Sequence, residues 1–174
     1  VLMRQKRHVY DYQTFWREKQ EVPKFSNQKY QKVLNELKKL DFKSVLEIGS
    51  GQGELTRLIM DNFAIEKIEC VDISSRFLVQ IPHNQILKRT LADFLYYDTE
   101  ERFDLVIASH FLLHIEPRNL LLAWDKMCKF SKKYIVHIDP TKETINRPKW
   151  EYYNFPHDYN QLHPSAEFKQ VEKY

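Results

Sequence analysis

Short apolar runs alternating with helical patterns set the rhythm of this chain. Val45-Leu46-Glu47-Ile48 is continuous enough to read as a buried strand. Similar runs follow at Lys67–Asp72, Gln85–Arg89, Phe103–Ser109 and Tyr134–Asp139, the last stopped by Pro140. Before the first strand, Tyr30, Val33, Leu34, Leu37 and Leu40 recur at three- and four-residue spacing, with Ser26 or Asn27 available as a cap. Glu54–Met60 shows the same helical spacing. A further helix should start near Pro117, whose fixed φ suits a first turn, and carry Leu120, Leu121, Leu122, Trp124 and Met127. Strands alternating with helices predict an α/β fold, doubly wound around a mostly parallel sheet. Right-handed crossovers then put the binding crevice at the carboxyl ends of the strands.

Glycine changes this picture most. All three glycines, Gly49, Gly51 and Gly53, fall in the turn after the first strand. A loop built this way turns sharply and lets a ligand rest on its main chain. Strand, glycine-rich turn and helix open a nucleotide-binding βαβ unit. The dinucleotide fingerprint needs a small residue at position 54, where Glu54 stands, and the P-loop pattern is absent. An acid about 20 residues beyond the loop suits the hydroxyls of a ribose, and Asp72 ends the second strand at that distance, followed by Ile73.

The pattern E-x-G-x-G-x-G, led by Glu47, resembles motif I of the class I S-adenosylmethionine-dependent methyltransferases. The resemblance covers about residues 27–140 and implies a Rossmann-like methyltransferase fold with S-adenosyl-L-methionine as cofactor. It implies that Glu47, Gly49, Ser50, Gly51 and Gly53 wrap the methionine end. Asp72 and Ile73 would meet the ribose. Asp93 would accept from the adenine amine, with Phe94 packed nearby. Ser109, closing the fourth strand, would face the cofactor, and the segment His110–Pro117 resembles the family's post-strand segment. One departure stands out. The family usually adds two more strands, one antiparallel, yet only 34 residues follow Pro140. Residues 167–174 can supply one strand, so the C-terminal strands are expected to be incomplete. An open sheet edge invites pairing with another chain, which makes an oligomer through that edge conceivable.

Composition mostly excludes. A chain of 174 residues makes one domain with a real core. Its organisation reads as an N-terminal arm or lid (1–25), with Tyr10, Tyr12, Phe15 and Trp16, and a cofactor-binding domain (26–174) whose segment 141–174 lies on the substrate side. A net charge of +3 is too small to announce a nucleic-acid partner, though it does not rule one out. Cys70 and Cys128 have no metal or redox spacing and suit a reducing cytoplasm. No apolar stretch is long enough to span a bilayer and no signal-peptide pattern opens the chain, so a membrane partner is not expected.

Methyl transfer needs an acceptor held in line, and a base where the nucleophile is a hydroxyl or a protonated amine. His110 and His114 follow the fourth strand and would share one face if that segment were helical. His157, beside Asp158, is a third candidate for touching substrate or acting as base. His137 lies inside a strand and reads as structural. No third ligand completes a metal site around the pair, so no metal is expected. The fourth strand is not followed by the Asn/Asp-Pro-Pro-Tyr/Phe of amine methylation in DNA, nor by a Pro-Cys nucleophile. The Lys-Asp-Lys-Glu set of ribose 2′-O enzymes is not evident. A small-molecule acceptor is expected by elimination, with O-methylation favoured because histidine bases are at hand. Two alternatives stay open: an RNA- or protein-directed methyltransferase, and a catalytically silent cofactor-binding partner subunit.

Overall fold

The computed structural model describes residues 12–19, 27–140, 154–155 and 157–162. Strands β1 (Ser44–Ile48), β2 (Lys67–Asp72), β3 (Leu87–Leu91), β4 (Phe103–Ser109) and β5 (Ser131–Ile138) form a parallel sheet in the order β3-β2-β1-β4-β5. The helices are α1 (Tyr12–Glu18), α2 (Asn27–Leu37), α3 (Glu54–Asn62), α4 (Ser75–Leu78) and α5 (Leu120–Phe130).

The central strands β1, β2 and β4 are buried on both faces, which is why they read as nearly continuous apolar runs. Val45, Ile68, Cys70, Leu105 and Ile107 pack with Val33 and Leu37 of α2 and with Leu55 and Ile59 of α3. The alternate residues Leu46, Ile48, Val71, Val106 and Ala108 face the other way, onto Leu120, Trp124, Met127 and Phe130 of α5. Tyr159 and Leu162 join this second layer from the C-terminal segment. The two-residue period of the strands thus feeds two separate cores. β1 and β4 are neighbours although two strands lie between them in sequence. The strand order reverses there, and a crevice opens beyond their carboxyl ends.

One buried charge tightens the edge of the sheet. Glu69 on β2 is 0% exposed. Its carboxylate accepts from Thr90 Oγ1 (2.7 Å) and Tyr97 OH (3.0 Å), and Lys88 Nζ lies 3.1 Å away. A buried carboxylate needs such donors. Through Tyr97 they fix the loop that follows β3 and presents Asp93.

The elements match the sequence pattern with local shifts. β2 and β4 span the anticipated residues. β3 begins two residues later than the Gln85–Arg89 run, because Asn84 turns back to cap the approach: its side chain accepts from the Ile86 N–H (3.0 Å) and its carbonyl from the Leu87 N–H (3.1 Å). β5 starts earlier, at Ser131. Pro117 opens a 3-10 turn, Pro117–Asn119, before α5 begins at Leu120. α2 ends at Leu37, one turn short of Leu40. The strand anticipated at 167–174, and with it the question of the sheet's completion, lies outside the described residues. No described helix is long and apolar enough to cross a membrane.

Candidate active site

The glycine-rich turn shows why it could be built from nothing else. Gly49, Gly51 and Gly53 all have positive φ, at 66°, 53° and 77°. A Cβ on Gly49 would come within 2.8 Å of Phe111 Cδ2. Real Cβ atoms do not approach so closely, so β1 and the segment after β4 are held together through a missing side chain. The turn ends on Gly53, the cap residue of α3.

This turn floors a cavity at the carboxyl ends of β1, β2 and β4. Glu47, Gly49, Ser50, Gly51, Asp72, Ile73, Asp93, Phe94 and Ser109 all line it, as do His110 and His114. Of the residues expected to hold cofactor, only Gly53 is outside the lining; its role is to turn the chain into α3. Convergence of four separate loops on one space is what the topology required.

The acids of the cavity are individually organised. Asp72 is buried, and its carboxylate accepts from the Gly51 N–H (2.9 Å) and the Ser74 N–H (2.8 Å). It therefore ties the end of β2 to the glycine turn. Burial raises its pKa, against the pull of those backbone donors. Glu47 is 2% exposed and accepts from Thr56 Oγ1 at 2.5 Å. Burial, helped by the nearby Asp72 charge, pushes it up to about 7. Two acids this close in a dry place disfavour each other's ionisation. A cationic ligand would relieve both.

Asp93 sits where α1 meets the sheet. Its Oδ1 accepts from the Leu95 N–H (3.0 Å). Its Oδ2 accepts from Tyr12 OH and from Gln13 Nε2 (2.8 Å), both on α1. The N-terminal helix thus lies across the cavity, with Tyr12 and Trp16 in its lining. Trp16 meets His114 edge to face, ring centroids 4.5 Å apart.

His110 is the strained residue of the site. Its φ is 53°, the one positive value among described non-glycine residues. Histidine is among the side chains that enter this region more readily, and such outliers gather at functional sites. Its backbone N–H donates to the Ile138 carbonyl (2.8 Å), and Ser109 Oγ lies 3.2 Å from its Nδ1. His110 and His114 do not share a helical face, because His110 is left-handed and Leu112–His114 form a separate 3-10 turn. They reach the same cavity by this kink instead.

The structure places His157 elsewhere. It is 5% exposed, does not line the cavity, and its Nε2 contacts the carbonyls of Leu112 (3.1 Å) and Ile115 (2.9 Å). This corrects its expected place as base or substrate contact: the ring is spent on backbone. Asp158 beside it is exposed. His137 lies in β5 as anticipated. Among the described residues no cluster could hold a metal ion.

Several lining residues escaped the sequence reading. Tyr30, Gln52, Glu54, Phe77, Ala92 and Phe111 all face the cavity. Tyr30 OH donates to Glu54 Oε2 (2.9 Å). Glu54 carried a signal, since it is the residue that breaks the dinucleotide fingerprint. Tyr30 looked like one more core position of an amphipathic helix.

The comparisons agree with this geometry. A family model described as a methyltransferase domain matches residues 15–172. No curated protein matches the sequence. Similar folds occur in the N-methyltransferase NodS of Bradyrhizobium japonicum WM9, in complex with S-adenosyl-L-homocysteine, at 18% identity and TM-score 0.61, covering 74% of this chain and 71% of that one. DhpI, also with S-adenosyl-L-homocysteine, aligns at 17% identity and TM-score 0.59, over 66% of this chain and 58% of that one. An S-adenosylmethionine-dependent methyltransferase from Clostridium acetobutylicum ATCC 824 aligns at 14% identity and TM-score 0.60, over 71% and 54%. This chain spans little more than half the length of the last two. With the family model covering most of the chain, and with the Rossmann-like sheet in place, the resemblance read from E-x-G-x-G-x-G holds: the chain belongs to the methyltransferase-domain family.

Proposed function

We propose that this protein is an S-adenosylmethionine-dependent methyltransferase acting on a small molecule. The observation that carries the reading is the cavity itself. It is floored by the glycine turn, carries the carboxylates of Glu47, Glu54, Asp72 and Asp93, and has no lysine or arginine among its described lining residues. That charge balance suits a sulfonium and an ammonium group, and does not suit the phosphates of a dinucleotide. Glu47 and the turn 49–53 would hold the methionine end, Asp72 the ribose, and Asp93 with Phe94 the adenine. The structural relatives NodS and DhpI, each seen with S-adenosyl-L-homocysteine, support the choice of cofactor.

When bound, the cofactor supplies a methyl group already activated on positive sulfur. The residues of this chain then have three tasks. The glycine turn and the acids fix orientation, and positioning alone is worth up to roughly 7–11 kcal/mol in ideal cases. Tyr12 and Trp16 on α1 roof the cavity and exclude water. His110 supplies an imidazole nitrogen to take the proton from an acceptor hydroxyl, which favours O-methylation. A roofed cavity with no lysine or arginine among its described lining residues also favours a small acceptor over a nucleic-acid chain, which calls for positive charge along a track.

The test is a labelled-methyl assay. Protein and S-adenosyl-L-methionine carrying a labelled methyl are incubated with a panel of small alcohols and amines, with total RNA, and with denatured protein. Label is expected in the small-molecule fraction, strongest with hydroxyl acceptors at alkaline pH. Label confined to RNA or protein, or cofactor binding with no transfer anywhere, contradicts the reading.

A further inference from the structure

The turn carrying His114 is held from behind by residues far along the chain. Leu112–His114 form a single 3-10 turn, and His110, Phe111, His114 and Ile115 around it line the cavity. Four polar contacts enter this turn from outside. The Leu113 N–H donates to Asp139 Oδ1 (3.2 Å), just past the end of β5. The Leu113 carbonyl accepts from the Phe155 N–H (2.7 Å). His157 Nε2 lies 3.1 Å from the Leu112 carbonyl and 2.9 Å from the Ile115 carbonyl.

Carbonyls only accept, so Nε2 carries the hydrogen and bridges both. The two carbonyls bracket His114, one on each side. The Leu112 carbonyl already accepts the Ile115 N–H within the turn (2.9 Å), and a buried carbonyl oxygen has a second lone pair to offer. His157 supplies the second donor to Leu112 and reaches on to the Ile115 carbonyl. Its neutral state is consistent with the place: burial holds its pKa below the ordinary imidazole value. The planar ring is also anchored, with Phe155 at 6.3 Å and Tyr159 at 5.7 Å between centroids. Tyr159 belongs in turn to the core beneath α5.

We propose that His157 is a positioning residue: its imidazole clamps the two ends of the Leu112–Ile115 turn and so keeps His114 against Trp16 at the cavity wall. Its relevance to catalysis rests on the methyl-transfer reading above, but the clamp is tested separately from it. The role differs from that of a base, since His157 never meets the reacting groups. It also gives Phe155 and His157 a part in the site that their distance from the cavity hides.

The experiment uses the full chain and three variants. His157→Phe keeps an aromatic ring and removes the donor. His157→Gln keeps an N–H at similar reach. His157→Asn keeps the same amide one methylene shorter. The readout is the ring Cε1–H signal of His114 in histidine-labelled protein, assigned by its loss in His114→Asn. In the wild type this signal should carry the ring-current shift of Trp16, 4.5 Å away. The clamp predicts that the shift is lost in His157→Phe and His157→Asn and restored in His157→Gln. It is overturned if His157→Phe leaves the signal in place. It is equally overturned if the two amides behave alike, a comparison that still decides should His157→Phe fail to fold. Calorimetry of S-adenosyl-L-homocysteine on the same samples keeps the two ideas apart. A wild type that binds none refutes the cofactor reading and leaves the His114 signal to judge the clamp.

Discussion

Replacing Glu47 by glutamine should make the free protein more stable and its cofactor affinity worse. Glu47 is buried at the end of β1, where its pKa rises from 4.5 to about 7, chiefly through burial and then through Asp72. At 1.36 kcal/mol per unit, this shift costs the folded state about 3 kcal/mol once the group is ionised. The sign follows from proton counting. Below the unfolded value both states hold the proton and there is no penalty. As pH rises from 4.5 to about 7, the unfolded chain loses its proton first, so stability falls through that window and levels off above it. Glutamine does not ionise, keeps an oxygen for Thr56 Oγ1, and escapes the penalty. Urea unfolding of both proteins reads it out. The variant's advantage should grow by about 2 kcal/mol between about pH 5.5 and about pH 8.5. Taking the difference between the two proteins cancels the titrating groups that do not feel Glu47, His157 among them. Parallel stability profiles would refute the buried-acid argument. S-adenosyl-L-methionine affinity should fall in the same variant, because the cavity loses a negative charge that its cationic ligand offsets.

Two further substitutions separate the roles within the cavity. Asp72→Ala removes the acceptor for the Gly51 and Ser74 N–H groups, and with it the acceptor proposed for the ribose; S-adenosyl-L-homocysteine affinity should weaken by about 1–3 kcal/mol in calorimetry, and equal affinity would refute the ribose role. His110→Asn keeps a residue that tolerates φ of 53° while deleting the imidazole; transfer to a hydroxyl acceptor should slow by about 10²–10⁴-fold with cofactor affinity nearly intact, and a wild-type rate would exclude His110 as base.

Most of the fold was legible because both cores follow simple periods. β4 could be bounded at Phe103 and Ser109 since Leu105–Ala108 is an unbroken buried apolar run and polar residues flank the strand. β3 was harder: as an edge strand it carries Lys88, Arg89 and Thr90, so its apolar signal is thin and its start drifted. That the glycine turn and the strand-end acids share one cavity was legible because they sit at spacings fixed by the topology. The geometry on the histidine side of the cavity was less so. The kink at His110 is a backbone event that no side-chain period reports. The Tyr12–Asp93 and Tyr30–Glu54 contacts join residues 81 and 24 apart, and each partner has an ordinary local role. His157 misled for the same reason. A histidine in an aromatic, polar-tipped stretch has the chemistry of a base, and only its two carbonyl partners, 45 and 42 residues upstream, show that the ring is already committed.

The central claim is that the turn after β1 cradles the amino-acid end of S-adenosyl-L-methionine, and Gly51 tests it most directly. This residue lines the cavity at φ 53° and donates its N–H to Asp72. Titration calorimetry with S-adenosyl-L-methionine should show saturable binding to the wild type and none to a folded Gly51→Val protein. Its branched side chain would have to share the ligand's space on strained backbone. Binding of equal strength to both proteins, or to neither, would contradict the account.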